Sequence, residues 1–307
     1  MRLNNNRREF VGLLGVTLIS SCAKINHDIG VDKNEYKELT DAFAALEKSS
    51  GGRLGICILD TQSGKYIGHR IDERFAMCST FKLPLAAFVF NEINAGRLDK
   101  NLIVPLDPTG LKVYSPIVQA ALKNGKINIV DAAKAAQISS DNIAANAILN
   151  HFGGPSFFTQ KIRKIGDETT RLDAIEPMMN VFKPGDIENS TTPVAMAHSL
   201  DKILTKEYVG DEYYNLLTGW MKETQTGLKR LRAGLPVDWV VGDKTGTGIN
   251  EGYANRYNDV ALAFTPEGKR VIITSYFESD KYYDDIRDED QDILKRAAEI
   301  AARFIKK

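Results

Sequence analysis

The sequence is poor in cysteine, with three in 307 residues, at positions 22, 57 and 78. A small disulfide-held scaffold needs more, so this chain has to fold on an apolar core. Histidine is as scarce. His27, His69, His151 and His198 are scattered without the spacing that gathers zinc ligands, and no metal or other cofactor is expected. An excess of one charge is also missing, since 40 basic and 40 acidic side chains cancel. That argues against a nucleic-acid partner, whose binder would carry a basic face. There is no G-x-S-x-G elbow and no G-x-x-x-x-G-K-[ST] loop, so serine-esterase and nucleotide-binding readings have no foothold. Internal repeats and low-complexity tracts are absent as well. What remains is a globular composition, 43% apolar and 26% charged. It is long enough to bury a large core as one domain or as two packed lobes.

The first residues read as an address rather than as part of the fold. Arg2, Arg7 and Arg8 precede an apolar run over 10–19 that is too short to span a bilayer as a helix. The stretch Asn6-Arg7-Arg8-Glu9-Phe10-Val11 resembles the twin-arginine export motif. Leu18-Ile19-Ser20-Ser21-Cys22 resembles a bacterial lipobox, in which the cysteine is lipidated and becomes the new N-terminus. The expectation is a signal peptide over 1–21, a polar tether over 22–34, and an exported, periplasmic protein anchored by lipid at Cys22. Cys57 lies in the apolar run Ile56-Cys57-Ile58-Leu59, where a small buried hydrophobe is its natural role, and no bridge to Cys78 is expected.

Beyond the tether, Tyr36, Leu39, Phe43 and Leu46 share one helical face, and strand-like runs follow over 53–60 and 66–69. From Ser79 to about Met221 the pattern is mainly helical, with helices predicted over 132–137, 142–152, 157–165, 194–204 and 212–221. Strands return over 239–244, 259–264 and 271–277, before a last helix over 290–304. Strands at both ends with helices between predict one antiparallel sheet flanked by helices, with a helical lobe inserted. The α/β lobe would take 35–77 and 223–307, and the helical lobe 78–222. Residues 171–192 show no periodicity, and a long irregular loop in a compact domain is often functional.

Three short motifs carry chemistry. In Ser79-Thr80-Phe81-Lys82 the serine and lysine stand at i and i+3 on one helix face, within hydrogen-bond reach. A serine hydroxyl needs a base to take its proton, and a lysine serves if burial lowers its pKa. Ser140-Asp141-Asn142 opens another helix, where such residues ordinarily cap. Lys244-Thr245-Gly246-Thr247 ends a strand, with a glycine that permits close approach. Each motif alone is weak, and Ser-x-x-Lys also occurs at Ser21/Lys24 and Ser199/Lys202. All three in this order are much stronger.

Together they resemble the motif set of class A β-lactamases and penicillin-binding proteins. The likeness to class A β-lactamases runs from about residue 35 to the C-terminus. Arg171-Leu172-Asp173-Ala174-Ile175-Glu176-Pro177-Met178-Met179-Asn180 is similar to that family's Ω-loop, whose Glu and Asn hold a hydrolytic water. The resemblance implies β-lactam antibiotics as substrates, no cofactor and a monomer. It implies that Ser79 is acylated, that Lys82, or Glu176 through a water, deprotonates it, and that Ser140 passes a proton to the leaving nitrogen. Backbone N–H groups of Ser79 and Thr247 would form the oxyanion hole. Asn142 and Asn180 would contact substrate and water. Lys244, Thr245, Gly246, Thr247 and Arg230 would form the anion-binding wall, with Tyr114 on the rim. Glu176 separates hydrolysis from the alternative, a covalent penicillin-binding sensor or transpeptidase-like protein that acylates without turnover.

Two positions depart from the family's pattern. Its Ω-loop is normally closed by an arginine–aspartate pair, where this chain has Ala174 and Asn189. Losing both avoids a stranded charge but removes a clamp, and a looser loop is expected. Cys78 precedes the nucleophile as in carbapenem-hydrolysing members, but Gly248 stands where those carry the bridging cysteine.

Overall fold

The computed structural model describes residues 33–107, 114–118, 124–181, 183 and 185–305. The expected signal peptide, Cys22 and most of the tether lie outside these residues. Helix α1 (Lys33–Ser50) is followed by strands β1 (Arg53–Asp60), β2 (Tyr66–His69) and β3 (Phe75–Ala76). Then come α2 (Lys82–Asn94), β4 (Ile103–Pro105), β5 (Lys126–Asn128), α3 (Ile129–Ile138), α4 (Asn142–His151) and α5 (Pro155–Lys164). After the Ω-loop follow β6 (Ser190–Thr191), α6 (Pro193–Ile203), α7 (Lys206–Val209), α8 (Asp211–Glu223) and α9 (Leu231–Gly234). Strands β7 (Val240–Gly248), β8 (Arg256–Phe264) and β9 (Arg270–Glu278) and helix α10 (Asp288–Ile305) complete the chain.

The main sheet has the order β2-β1-β9-β8-β7, and all its pairings are antiparallel. It is covered on both faces, so its strands are apolar at successive rather than alternate positions. In β1, Leu54, Ile56 and Ile58 pack in one core with α1 and α10. Cys57 and Leu59 point into the other core, shared with the helical region. Both described cysteines are buried free thiols, as expected. Three short strands, β4, β5 and β6, interrupt the stretch expected to be helical, and β8 starts three residues before its expected first residue.

Helix α2 decides where the site lies. Residues Lys82 to Phe90 are all buried, and Lys-Leu-Pro-Leu-Ala-Ala-Phe-Val-Phe offers no polar face to water. A helix of that kind runs through the middle of a protein. Pro84 is tolerated because it sits in the first turn, whose N–H groups have no intrahelical acceptor. The helix start, with Lys82 in its first turn, is thus carried into the seam between the sheet and the helices.

Candidate active site

Ser79 lies in the 3₁₀ turn Cys78–Phe81 that leads into α2. Cys78 before it has φ +44°, a left-handed conformation costing a β-carbon residue about 1–3 kcal/mol. The main chain there is over-determined: Asn258 Nδ2 donates to the carbonyls of Ala76 (2.8 Å) and Met77 (3.0 Å). Strand β7 passes directly alongside. A Cβ at Gly246 would stand 2.7 Å from Met77 O and 3.1 Å from Ser79 N, so only glycine allows this approach.

Lys82 Nζ is the hub. It lies 2.9 Å from Ser79 Oγ, 2.9 Å from Ser140 O and 3.2 Å from Glu176 Oε1, and also donates to Asn142 Oδ1. An ammonium has three protons for these four acceptors. A neutral amine would donate two and offer Ser79 its lone pair. Burial pushes the Lys82 amine below the ordinary lysine range, against the opposing pull of Glu176.

Asp141 is indeed the N-cap of α4, accepting from Ala144 N at 2.9 Å and from the N–H groups of Ile117 and Val118. Capping by the middle residue leaves its neighbours free to face the site. Ser140, at φ +56°, turns its carbonyl to Lys82 and its hydroxyl to Lys244 Nζ at 3.0 Å. Burial, followed by the Lys82 cation, pushes the Lys244 amine well below the ordinary lysine value.

Glu176 reaches the same point from the Ω-loop. Its Oε1 is 3.3 Å from Ser79 Oγ, and its Oε2 accepts from Asn180 Nδ2 at 2.6 Å. Asn146, one helical turn beyond Asn142 on α4, holds the Glu176 main chain at both its N–H (3.0 Å) and its carbonyl (2.8 Å). The base of the loop is tied by more than the missing ion pair suggested. Asn189 Oδ1 accepts from Asp173 N (2.8 Å) and Ala174 N (2.9 Å), while Asn189 N donates to Asp173 Oδ2 at 3.0 Å. Thr170 and Thr191 join hydroxyls at 2.7 Å. These bonds, whose donors are largely main chain, tie the base of the loop without an ion pair across it.

Along β7, the Thr245 hydroxyl meets Thr226 at 2.6 Å. Arg230 does not stand at the surface of this wall. It is buried behind it, with Nη1 on the carbonyls of Gly246 and Asn258, Nε on Gln291, and Nη2 on Thr247 Oγ1 at 2.7 Å. Its charge therefore reaches the site through the Thr247 hydroxyl. Tyr114 is exposed, and its carbonyl accepts from Asn142 N at 3.1 Å.

The structure thus gathers Ser79, Lys82, Ser140, Asn142, Glu176, Asn180 and Lys244 around one point, with Thr245, Gly246, Thr247 and Arg230 along one side. Asn146, Asn258, Asn250 and Arg256 complete the arrangement and were not anticipated. The spacing of Asn142 and Asn146, at i and i+4 on one helix, was a signal for the first. The others are polar residues at or beside β8, and apolar patterning passes over them.

Comparison with known proteins agrees with this geometry. A family model described as "Beta-lactamase enzyme family" matches residues 38–305. The chain is 40% identical over 269 residues to β-lactamase CTX-M-25 of Escherichia coli, covering 87% of this chain and 89% of that protein. It is 37% identical to a β-lactamase of Proteus vulgaris, covering 88% and 97%. Among solved structures, the reconstructed class A β-lactamase of the last common ancestor of Gram-negative bacteria superposes with a TM-score of 0.80 at 38% identity, covering 87% of this chain and 99% of that one. A β-lactamase from Xanthomonas campestris gives 0.80 at 35% identity, covering 88% and 98%. With motifs, fold and relatives in agreement over most of its length, the chain belongs to the class A β-lactamase family.

Proposed function

We propose that the protein hydrolyses the amide bond of penicillins and cephalosporins through an acyl-serine, and so confers resistance to them. The observation that carries this reading is the convergence on Ser79 Oγ of Lys82 at 2.9 Å and Glu176 at 3.3 Å, with Asn180 on the far oxygen of Glu176. Lys82 in its neutral form, or Glu176 through a water, takes the Ser79 proton as Oγ attacks the lactam carbonyl carbon. The N–H groups of Ser79 and Thr247 stabilise the oxyanion. The C–N bond then breaks. Ser140, whose acidity the neighbouring Lys244 raises, gives its proton to the nitrogen and takes in exchange, by way of Lys82, the proton that Ser79 gave up. Glu176 next accepts a proton from water as the water attacks the ester, and Ser79 leaves as its oxygen takes that proton from Glu176, directly or by way of Lys82. Asn142 binds the substrate's side-chain amide. Lys244, Thr245 and Thr247 bind its carboxylate, and the buried Arg230 supports them electrostatically.

The N-terminal motifs support an exported, periplasmic protein with Cys22 as the point of lipid attachment, and the family likeness supports a monomer. The α/β lobe would be assembled from 35–77 and 223–307 around the inserted 78–222.

Stopped-flow cleavage of a chromogenic cephalosporin by the mature protein tests the reading. Continued turnover beyond one equivalent is expected. A burst of one equivalent followed by arrest would make the protein a covalent receptor instead. The pH profile provides a second check. Because the Lys244 amine lies well below the usual lysine range, raising the pH neutralises it early, and kcat/KM should fall on the alkaline side. Lys244→Arg keeps its charge and should carry that limb to higher pH. Coincident alkaline limbs in the two proteins would remove Lys244 from the explanation.

A further inference from the structure

The bonds at the base of the Ω-loop leave its far end, at Asn180, to be held by something else. Asn180 closes the 3₁₀ turn Met178–Asn180, so its carbonyl has no acceptor role within that turn. That oxygen takes two hydrogen bonds from across the site, from Asn250 Nδ2 at 3.0 Å and from Arg256 Nη1 at 2.9 Å. Both donors belong to the β7–β8 hairpin. Arg256 opens β8 directly opposite Gly248, and Asn250 lies in the connection between the strands. The Arg256 guanidinium is buried over the Tyr253 ring, 5.6 Å from its centroid. Gly248 leaves it room, since a Cβ there would stand 3.6 Å from Nη1 and 3.1 Å from Cys78 Sγ.

The side chain of this same Asn180 holds Glu176. Glu176 is tied on the opposite side, through its main chain, to Asn146 of α4. The Glu176–Asn180 pair is therefore slung between a helix on one side and the β7–β8 hairpin on the other. A cation donating to the last carbonyl of a turn is well matched in charge, and the bond is stronger than a neutral one. The other groups are fixed by other contacts: the turn before Ser79 by Asn258, Lys82 by Asn142 and the Ser140 carbonyl, and Lys244 by the Ser140 hydroxyl and the Thr245 carbonyl.

We infer that Arg256, assisted by Asn250, is a positioning residue for hydrolysis of the acyl-enzyme. By gripping the Asn180 carbonyl it aims the Asn180 amide at Glu176 and fixes the carboxylate for water activation. With Lys82, in direct contact with Ser79 Oγ, taken as the base of the first half, that half does not need Arg256. This inference rests on the proposed role of Glu176 as the base of the second half.

The test compares wild type with Arg256→Ala, Arg256→Lys, Asn250→Ala and Glu176→Gln, using a chromogenic cephalosporin and intact-mass detection of the acyl-enzyme. For a reaction through an acyl intermediate, kcat/KM reports steps up to acylation, while kcat takes in deacylation. Arg256→Ala is expected to lower kcat about 10–100-fold, the cost of an ångström-scale misplacement. KM should fall in proportion, keeping kcat/KM within about twofold of wild type. Acyl-enzyme should become the main species during turnover. Asn250→Ala should show the same split more weakly, and Arg256→Lys should recover part of the loss.

Parallel falls in kcat and kcat/KM would mark Arg256 as merely structural and overturn the inference, as would wild-type values of both. If Arg256→Ala does not fold, Asn250→Ala and Arg256→Lys decide by the same split. A wild type that stops after one equivalent overturns the hydrolytic reading itself. Wild-type turnover by Glu176→Gln removes the base on which the inference rests.

Discussion

Glu176→Gln is expected to halt the reaction at the acyl-serine, with deacylation slowed by about 10²–10⁴-fold, the usual contribution of a general base. Acylation should persist, because Ser79 keeps its direct contact with Lys82 at 2.9 Å. Glutamine retains the shape of the side chain and can still meet Asn180, so the loop keeps its path. What it loses is the ability to take a proton from water. The substitution also removes the carboxylate 3.2 Å from Lys82, and with it the pull that opposes burial, so the Lys82 amine moves further below the ordinary lysine range. Mixed with one equivalent of a cephalosporin, the variant should gain the mass of the opened lactam and keep it for many wild-type turnover times. Repeated turnover at the wild-type rate would show that another group activates the water.

Lys82→Ala should be as damaging to activity and also costly to stability. Lys82 and Glu176 are 0% and 1% exposed at their side chains, so removing the ammonium strands a carboxylate away from water. Breaking a buried pair from one side costs about 3–5 kcal/mol. The same change removes the group in direct contact with Ser79 and unties Ser140 O and Asn142 Oδ1, and kcat/KM should fall by about 10³–10⁴-fold. Stability and activity can be separated. In Lys82→Ala/Glu176→Ala neither charge is stranded, so most of the lost stability should return while activity stays lost. Denaturant unfolding of the two single variants and the double variant measures this coupling, and additive losses would contradict it.

Much of the site was readable along the chain because it depends on neighbours in sequence. The i, i+3 spacing of Ser79 and Lys82 sets their contact wherever that turn forms. Asp141 caps α4 because of its place before an apolar helical pattern, and its two neighbours follow from that. Strand β8 shows where such reading stops. It was expected to begin at Asp259, yet Arg256, Tyr257 and Asn258 belong to it. Those residues are polar or amphipathic because Arg256 grips the Ω-loop and Asn258 holds the turn before Ser79. Their partners are main-chain carbonyls, which have no signature in sequence. The Ω-loop teaches the same lesson, since the missing arginine–aspartate pair was visible while the N–H groups that Asn189 satisfies were not.

By itself the sequence determined the identity of the reacting groups, their local spacing, the order of strands and helices along the chain, and a fold buried on both sides of a sheet. Only the tertiary structure decided that Ser79 meets Glu176 97 positions away and that Ser140 meets Lys244 across 104. It also decided that Arg230 acts from behind Thr247, and that a hairpin holds the end of the loop. The reason is physical. A lysine's charge state and an asparagine's acceptor are set by what surrounds them. For Lys82 and Lys244 that environment is a buried seam built by elements far apart along the chain.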